Sequence, residues 1–393
     1  MHTIDVAERR IRLARRHLLA AETRAGDVEE ATSALVCLHA TDPATVYLSA
    51  RARVPGMSVA DLDKALYVDR TLVKHLAMRR TLFVVPRATL PVVQAAASAR
   101  VAETEARRLA GDVEKAGLHV DGARWLEEAA TAVLAALSDG SELTSTELRA
   151  RIPLLRGTIV YGEGKKWGGE VPIGPRVLTV LSARGLLVRG PNEGGWTVSR
   201  PRWAAMSSWL GGDHLEPVEE RAARAELVRL WLHSFGGGTL QDVKWWLGST
   251  LGAVRTALAD AAAVEVDLHG TPGYVLPDDL AASQPVEPWA ALLPALDPTT
   301  MGWFDRDWYL GAHRGQLFDT NGNGGPTAWW DGRIVGGWHQ DATGAVRVDL
   351  LENVSRQARR ALEAEAARLT AWLAGTKVSA RFPSPLLKSV TRR

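Results

Sequence analysis

The chain has 393 residues, 46% hydrophobic and 23% charged, a balance that supports a packed core and excludes wholesale disorder. Its one cysteine, Cys37, excludes a disulfide framework and any zinc site built on paired cysteines. No apolar run reaches the ~20 residues of a membrane-spanning helix. The N-terminal segment mixes Asp5 and Glu8 with Arg9 and Arg10 and has no signal-peptide apolar stretch, so a cytoplasmic location is expected. The formal net charge is only +2, yet residues 1–100 carry 15 Lys/Arg against 10 Asp/Glu, and residues 151–210 carry 9 against 3. Two basic blocks in a nearly neutral chain predict one face that meets a polyanion.

Apolar spacing predicts a helix over 6–19 and another over 27–38, capped by Asp27. Pro43 forbids its simple continuation, which places His39-Ala40-Thr41-Asp42 at or just past the helix end. A helix starts at Ser58 with Asp61 in its first turn. Residues 71–78 read as a short helix, and 81–85 as a strand ending at Pro86. Helix, helix, short helix, strand is the order of a winged helix. The order recurs with a helix over 123–137, a capping box from Thr144 to Glu147, and a helix over 172–183 ended by Gly185. Strands over 186–189 and 196–199 would form its wing. A third copy has helices over 222–235, 239–247 (Thr239 with Asp242) and 250–260, and wing strands over 264–268 and 274–276. Beyond residue 286 the pattern turns to strands at 308–310, 328–330, 333–335 and 346–350. Asp331-Gly332 gives a type I′ hairpin signal, a long helix covers 355–373, and a last strand covers 377–382. The fold class is α+β, mainly α. Three tandem winged helices (1–120, 121–215, 216–285) precede a small barrel-like β domain or open sheet with a terminal helix (286–393).

Two glycine-rich stretches fail as nucleotide sites. Gly162 to Lys166 lacks the earlier Gly and the Ser/Thr of a phosphate loop, and Asn321 to Gly325 is followed by Pro326 and strands, not a helix. No helical histidine pair or nucleophile elbow occurs. No metal and no cofactor is expected.

Three early segments carry a family signature: residues 31–43 (ATSALVCLHATDP), 66–75 (LYVDRTLVKH) and 78–86 (MRRTLFVVP). Residues 292–298 (LLPALDP) and 331–338 (DGRIVGGW) extend it. Together they resemble the AlkZ-like DNA glycosylases of the winged-helix DNA-binding family over essentially the whole chain. The resemblance implies tandem winged helices curved around a concave DNA channel, with a C-terminal β domain. It also implies excision of N-alkylated purines, some of them bulky adducts or crosslinks. Family members carry a catalytic Gln-x-Gln or Gln-x-Asp, and the matching positions here are His39 and Thr41.

An N7- or N3-alkylpurine is already cationic and leaves without a general acid, so the enzyme has only to hold a water and stabilise a cationic sugar. Neutral His39 offers one acceptor nitrogen and can take a proton. Thr41 can orient the same water. Asp42 can stabilise the sugar or fix the His39 tautomer, or simply cap the following turn. Expected DNA contacts are Arg51, Arg53, Arg79, Arg80, Lys165, Lys166, Trp167 and Arg176. The reading is a monofunctional, monomeric N-glycosylase acting on double-stranded DNA. The alternative is a non-catalytic DNA-binding regulator or lesion sensor on the same scaffold.

Overall fold

The structure, a computed structural model, describes residues 2–162, 164, 168–212 and 215–390. Helix α1 (Val6–Arg16) starts where the Asp5 carboxylate accepts the Glu8 N–H. The first unit holds α2 (Val28–Ala34), β1 (Leu38–His39), α3 (Pro43–Arg51), α4 (Val59–Asp63), β2 (Leu72–Ala77) and β3 (Thr81–Pro86). Asp27 caps α2 and a Ser58–Asp61 capping box starts α4, so local chemistry sets both starts. The sheet order is β1-β3-β2, with Leu38 opposite Val84 and His39 opposite Phe83. Helix α5 (Leu90–Val93) passes through a π-helical turn (Gln94–Ser98) into α6 (Ala99–Lys115).

The second unit repeats the order with α7 (Gly122–Ala136), β4 (Leu143–Thr144), α8 (Ser145–Arg151), α9 (Gly174–Ala183), β7 (Leu187–Asn192) and β8 (Pro201–Ala205); a hairpin of β5 (Thr158–Tyr161) and β6 (Gly169–Pro172) is inserted before α9. Its sheet, β4-β8-β7, has the topology of the first. After α10 (Met206–Trp209) come α11 (Glu220–Phe235), α12 (Leu240–Leu247), α13 (Leu251–Asp260), β9 (Val264–Asp267) and β10 (Pro272–Val275). A bridge from Gly238 to Tyr274 stands where the other units have their first strand.

The C-terminal part contains β11 (Ala290–Leu293), α14 (Pro298–Met301), α15 (Asp307–Leu310), α16 (Arg314–Leu317), β12 (Thr327–Trp330), β13 (Arg333–Gln340), β14 (Val346–Leu350), α17 (Arg356–Leu373) and α18 (Pro385–Val390). The strand order is β11-β12-β13-β14. This sheet is an open meander with β11 and β14 as edges, so the expected barrel-like closure is corrected. Asp331 and Gly332 both have positive φ, as the hairpin signal requires. The α17 side chains Leu362, Leu369 and Leu373 share one core with Leu292, Val335 and Trp338 of the sheet and with Ala44 and Leu48 of α3. Helix α3 is thereby wedged between the first unit and the C-terminal sheet.

Several sequence expectations change. Residues 72–77 form a strand, not a helix, and all six are buried. One face packs in its own unit and the other meets β7 and α9, so the alternation that marks a half-buried strand is absent. His39 lies in β1, not at a helix end, because α2 stops at Ala34 and Val36 takes a left-handed φ of 65°. The second strand of the middle wing is Pro201–Ala205, not 196–199, since Trp196 packs on Tyr47 and Trp372. Residues 308–310 are helical, and 377–382 form an irregular strap instead of a strand.

Candidate active site

β1 delivers His39, Thr41 and Asp42 to one corner. The Ala40 N–H extends the pairing to the Leu82 carbonyl (2.8 Å), and Pro43 then opens α3 at its first position, where a missing N–H costs nothing. Asp42 is the N-cap, its Oδ1 accepting the Ala44 N–H at 3.3 Å and its Oδ2 accepting the Arg381 N–H at 2.9 Å. Burial holds the Asp42 carboxyl above the usual carboxylate range, with the Arg381 and Ala44 hydrogen bonds acting against it. Its carboxylate faces a cavity of about 300 Å³ that His339, Gln340 and Trp338 also line.

His39 is 7% exposed and meets Phe83 edge-on at 5.2 Å. Burial, and then the charge of Arg79, pushes its pKa down to about 3, so the ring is neutral at pH 7. Its Nδ1 accepts the Thr41 N–H at 3.4 Å. In that neutral tautomer the proton sits on Nε2, which makes the ring a donor. Thr41 is half-buried, and its Oγ1 is shielded from solvent with no protein partner. A buried hydroxyl without a partner is costly, so this atom is the one at the corner that a bound water or ligand would satisfy.

The expected DNA contacts divide sharply. Arg53 is 0% exposed and pairs bidentately with Asp297, also 0% exposed, at 2.8 and 3.0 Å. Arg51 pairs with Glu365 of α17, and Arg176 pairs with Asp112 at 3.3 Å, both with their side chains largely covered. Arg79 turns inward onto the Trp245 ring at 3.9 Å. Arg51, Arg53 and Arg176 are corrected from DNA contacts to internal ties, because each pairs with a carboxylate of the protein, while the Arg79 Nε stays buried without a partner. Arg80 is half-exposed; it pairs with Glu105 at 2.8 Å and lines a second pocket of about 390 Å³ in front of Thr41. Lys165, Lys166 and Trp167 lie outside the described residues.

Two residues that the sequence reading passed over also line this pocket, Arg189 on β7 and Arg381 on the strap. The Arg381 guanidinium donates to the Thr41 carbonyl at 3.3 Å. No sequence signal joins positions 340 residues apart. Among the described residues no cluster of His, Cys, Asp and Glu could hold a metal ion, and no helix is long and apolar enough to cross a membrane.

The fold is one that a DNA glycosylase is known to adopt. The chain is similar to Streptomyces sahachiroi DNA glycosylase AlkZ, at 22% identity with a TM-score of 0.73, over 96% of this chain and 98% of that one. The family model for AlkZ-like DNA glycosylases matches residues 32–372, and the chain belongs to that family. No curated protein matches it.

Proposed function

We propose that this chain is a monofunctional DNA N-glycosylase that hydrolyses the glycosidic bond of N7- or N3-alkylated purines and leaves an abasic site. The three repeated units are read as winged helices, in the divisions 1–120, 121–215 and 216–285, that grip duplex DNA as a monomer, with 286–393 packed beside them. The observation that supports the reading is the corner at residues 39–42, which carries a buried carboxylate, an unpartnered hydroxyl and a neutral imidazole, with His39 and Thr41 at the positions that the resemblance gives to the catalytic pair.

The chemistry balances with these groups alone. The C1′–N bond breaks, and its electron pair neutralises the cationic base, which leaves without an acid. A water held by Thr41 Oγ1 attacks C1′. Its proton passes to the Asp42 carboxylate, whose charge also opposes that developing on the sugar. His39, as an Nε2–H donor, orients the water or a sugar oxygen. Relative to the sequence reading, the base is Asp42 instead of His39.

Asp42→Asn keeps one acceptor oxygen for the Ala44 N–H but loses both the base and the bond from the Arg381 N–H. Abasic-site formation on duplex DNA bearing N7-methylguanine or a bulky N7 adduct is expected to fall by about 10²-fold or more. Thr41→Val should fall similarly, and His39→Ala less. Unchanged release in both Asp42→Asn and Thr41→Val would move the chemistry elsewhere. No release by the native chain from any alkylated duplex would favour the non-catalytic DNA-binding alternative.

A further inference from the structure

The pocket in front of Thr41 carries more positive charge than the protein balances. Arg80, Arg189 and Arg381 line it, together with Ser145 and Ser199, and no carboxylate is among its lining residues. Glu105 offsets Arg80 and the Asp42 carboxylate acts on Arg381, which leaves Arg189 without an opposing charge. Arg189 rests on the Trp203 ring at 5.0 Å, and its Nε is buried without a protein partner. Burial, and then the like charge of Arg381, brings the Arg189 pKa down to about 10. The strap holds Arg381 there by design of the backbone. Gln340 Nε2 donates to the Thr376 carbonyl at 3.0 Å, while Gln340 Oε1 accepts the Val378 N–H at 2.8 Å, and the Arg381 N–H is fixed on Asp42. Two guanidinium groups therefore line one pocket, one of them with an unused buried N–H. Such a set is complementary to one tetrahedral oxyanion.

We infer that Arg189 and Arg381, with Arg80 at the rim, form a binding site for a single phosphate of the nucleic-acid backbone, set between the first and second units and anchored by the C-terminal strap. The inference rests on the glycosylase reading for its purpose. A phosphate clamped here fixes the adjoining sugar against Thr41 and Asp42. It also neutralises the Arg189 cation, which would otherwise oppose positive charge on that sugar. The substrate supplies the counter-charge that the pocket lacks.

The test is a binding measurement that does not need the lesion to be known. The native chain, Arg381→Ala and Arg189→Gln are titrated with a short duplex carrying a tetrahydrofuran abasic analogue, over a range of salt concentrations. Arg381 is exposed, so its variant folds; circular dichroism checks Arg189→Gln. Each variant is expected to lower the slope of log affinity against log salt by about one. Duplexes with one neutral methylphosphonate at successive positions then map the contact. One position should weaken the native chain by about tenfold and leave Arg381→Ala unaffected. Inorganic phosphate at matched ionic strength should compete only at millimolar levels; competition at micromolar levels would mean a free-phosphate site and overturn the assignment. Unchanged salt slopes in both variants, or no methylphosphonate position whose penalty Arg381→Ala abolishes, would also overturn it, even with base release intact. Altered slopes with no base release would instead retain the clamp and reject the glycosylase chemistry.

Discussion

The Arg53–Asp297 pair is the internal tie whose loss should be felt most. It joins the end of α3 to the loop before α14, 244 residues away, and both side chains are fully buried. Asp297 also accepts from Ser49 Oγ at 2.7 Å and from the Thr299 N–H at 2.9 Å, and Arg53 further donates to the Ser49 and His17 carbonyls. Every lone pair and N–H thus has work, which is the condition for a buried pair to be tolerated. Asp297→Ala leaves a guanidinium in a dry interior, at a cost of about 3–5 kcal/mol. It also removes the cap on Thr299, a further ~1 kcal/mol. Against a total stability of about 5–15 kcal/mol that variant is marginal, so Asp297→Asn, which keeps the shape and the cap, is the companion. Urea unfolding followed by circular dichroism gives both values. The double variant Arg53→Met/Asp297→Ala should recover much of the loss, because no unpaired charge remains. A cost below ~2 kcal/mol for Asp297→Ala, or a double variant no better than the single one, would refute this account. Acid acts on the same pair. Burial works to raise the Asp297 pKa, but the charge and hydrogen bonds of Arg53, with Ser49 and Thr299, outweigh it and leave the group below its ordinary value. Its contribution is therefore present above pH ~4, the unfolded value, and is lost as the pH falls below that.

Three further outcomes follow from buried groups and from one turn. His17, His39 and His75 have pKa values pushed down by burial to about 3, 3 and 4, with Arg53 adding to the effect at His17 and Arg79 at His39. The unfolded chain, with histidines near 6.5, binds protons first, so stability falls as the pH drops below ~6.5. Three groups at 1.36 kcal/mol per unit predict a slope of about 4 kcal/mol per pH unit near pH 5; a flat urea midpoint between pH 6 and pH 4.5 would exclude three neutral imidazoles. The same shift means that base release should show no limb near pH 6.5 from His39. Arg79 and Arg80 both hold left-handed backbone in the turn between β2 and β3, at φ 55° and 58°. A side chain there costs about 1–2 kcal/mol, so Arg79→Gly should be more stable than Arg79→Ala by about 1 kcal/mol, although both lose the Trp245 contact. The reverse order would mean that the turn is unstrained.

Much of the local structure was legible in the sequence. Asp27, Ser58, Thr144, Thr239 and Ser355 each accept the N–H expected of a cap, and the recurring helix order is present three times. These features depend on residues three or four apart, and their energies are settled within a turn. The corner at 39–42 was legible because Pro43 stops whatever precedes it. Its chemistry was only partly so, since which nitrogen of His39 is free depends on the Thr41 N–H folding back onto the ring.

What the sequence by itself determined, then, was most of the helices and their caps and the position of the corner. The tertiary structure decided that 72–77 is a strand, because burial on both faces erases the alternation that would have announced it. It decided that Arg51 and Arg53 tie the molecule together instead of meeting DNA, because their carboxylates lie more than 200 residues away. It also decided that Arg381 closes the site. Charge in a sequence is a count; whether a guanidinium faces solvent or a buried carboxylate is fixed only when distant segments are packed side by side.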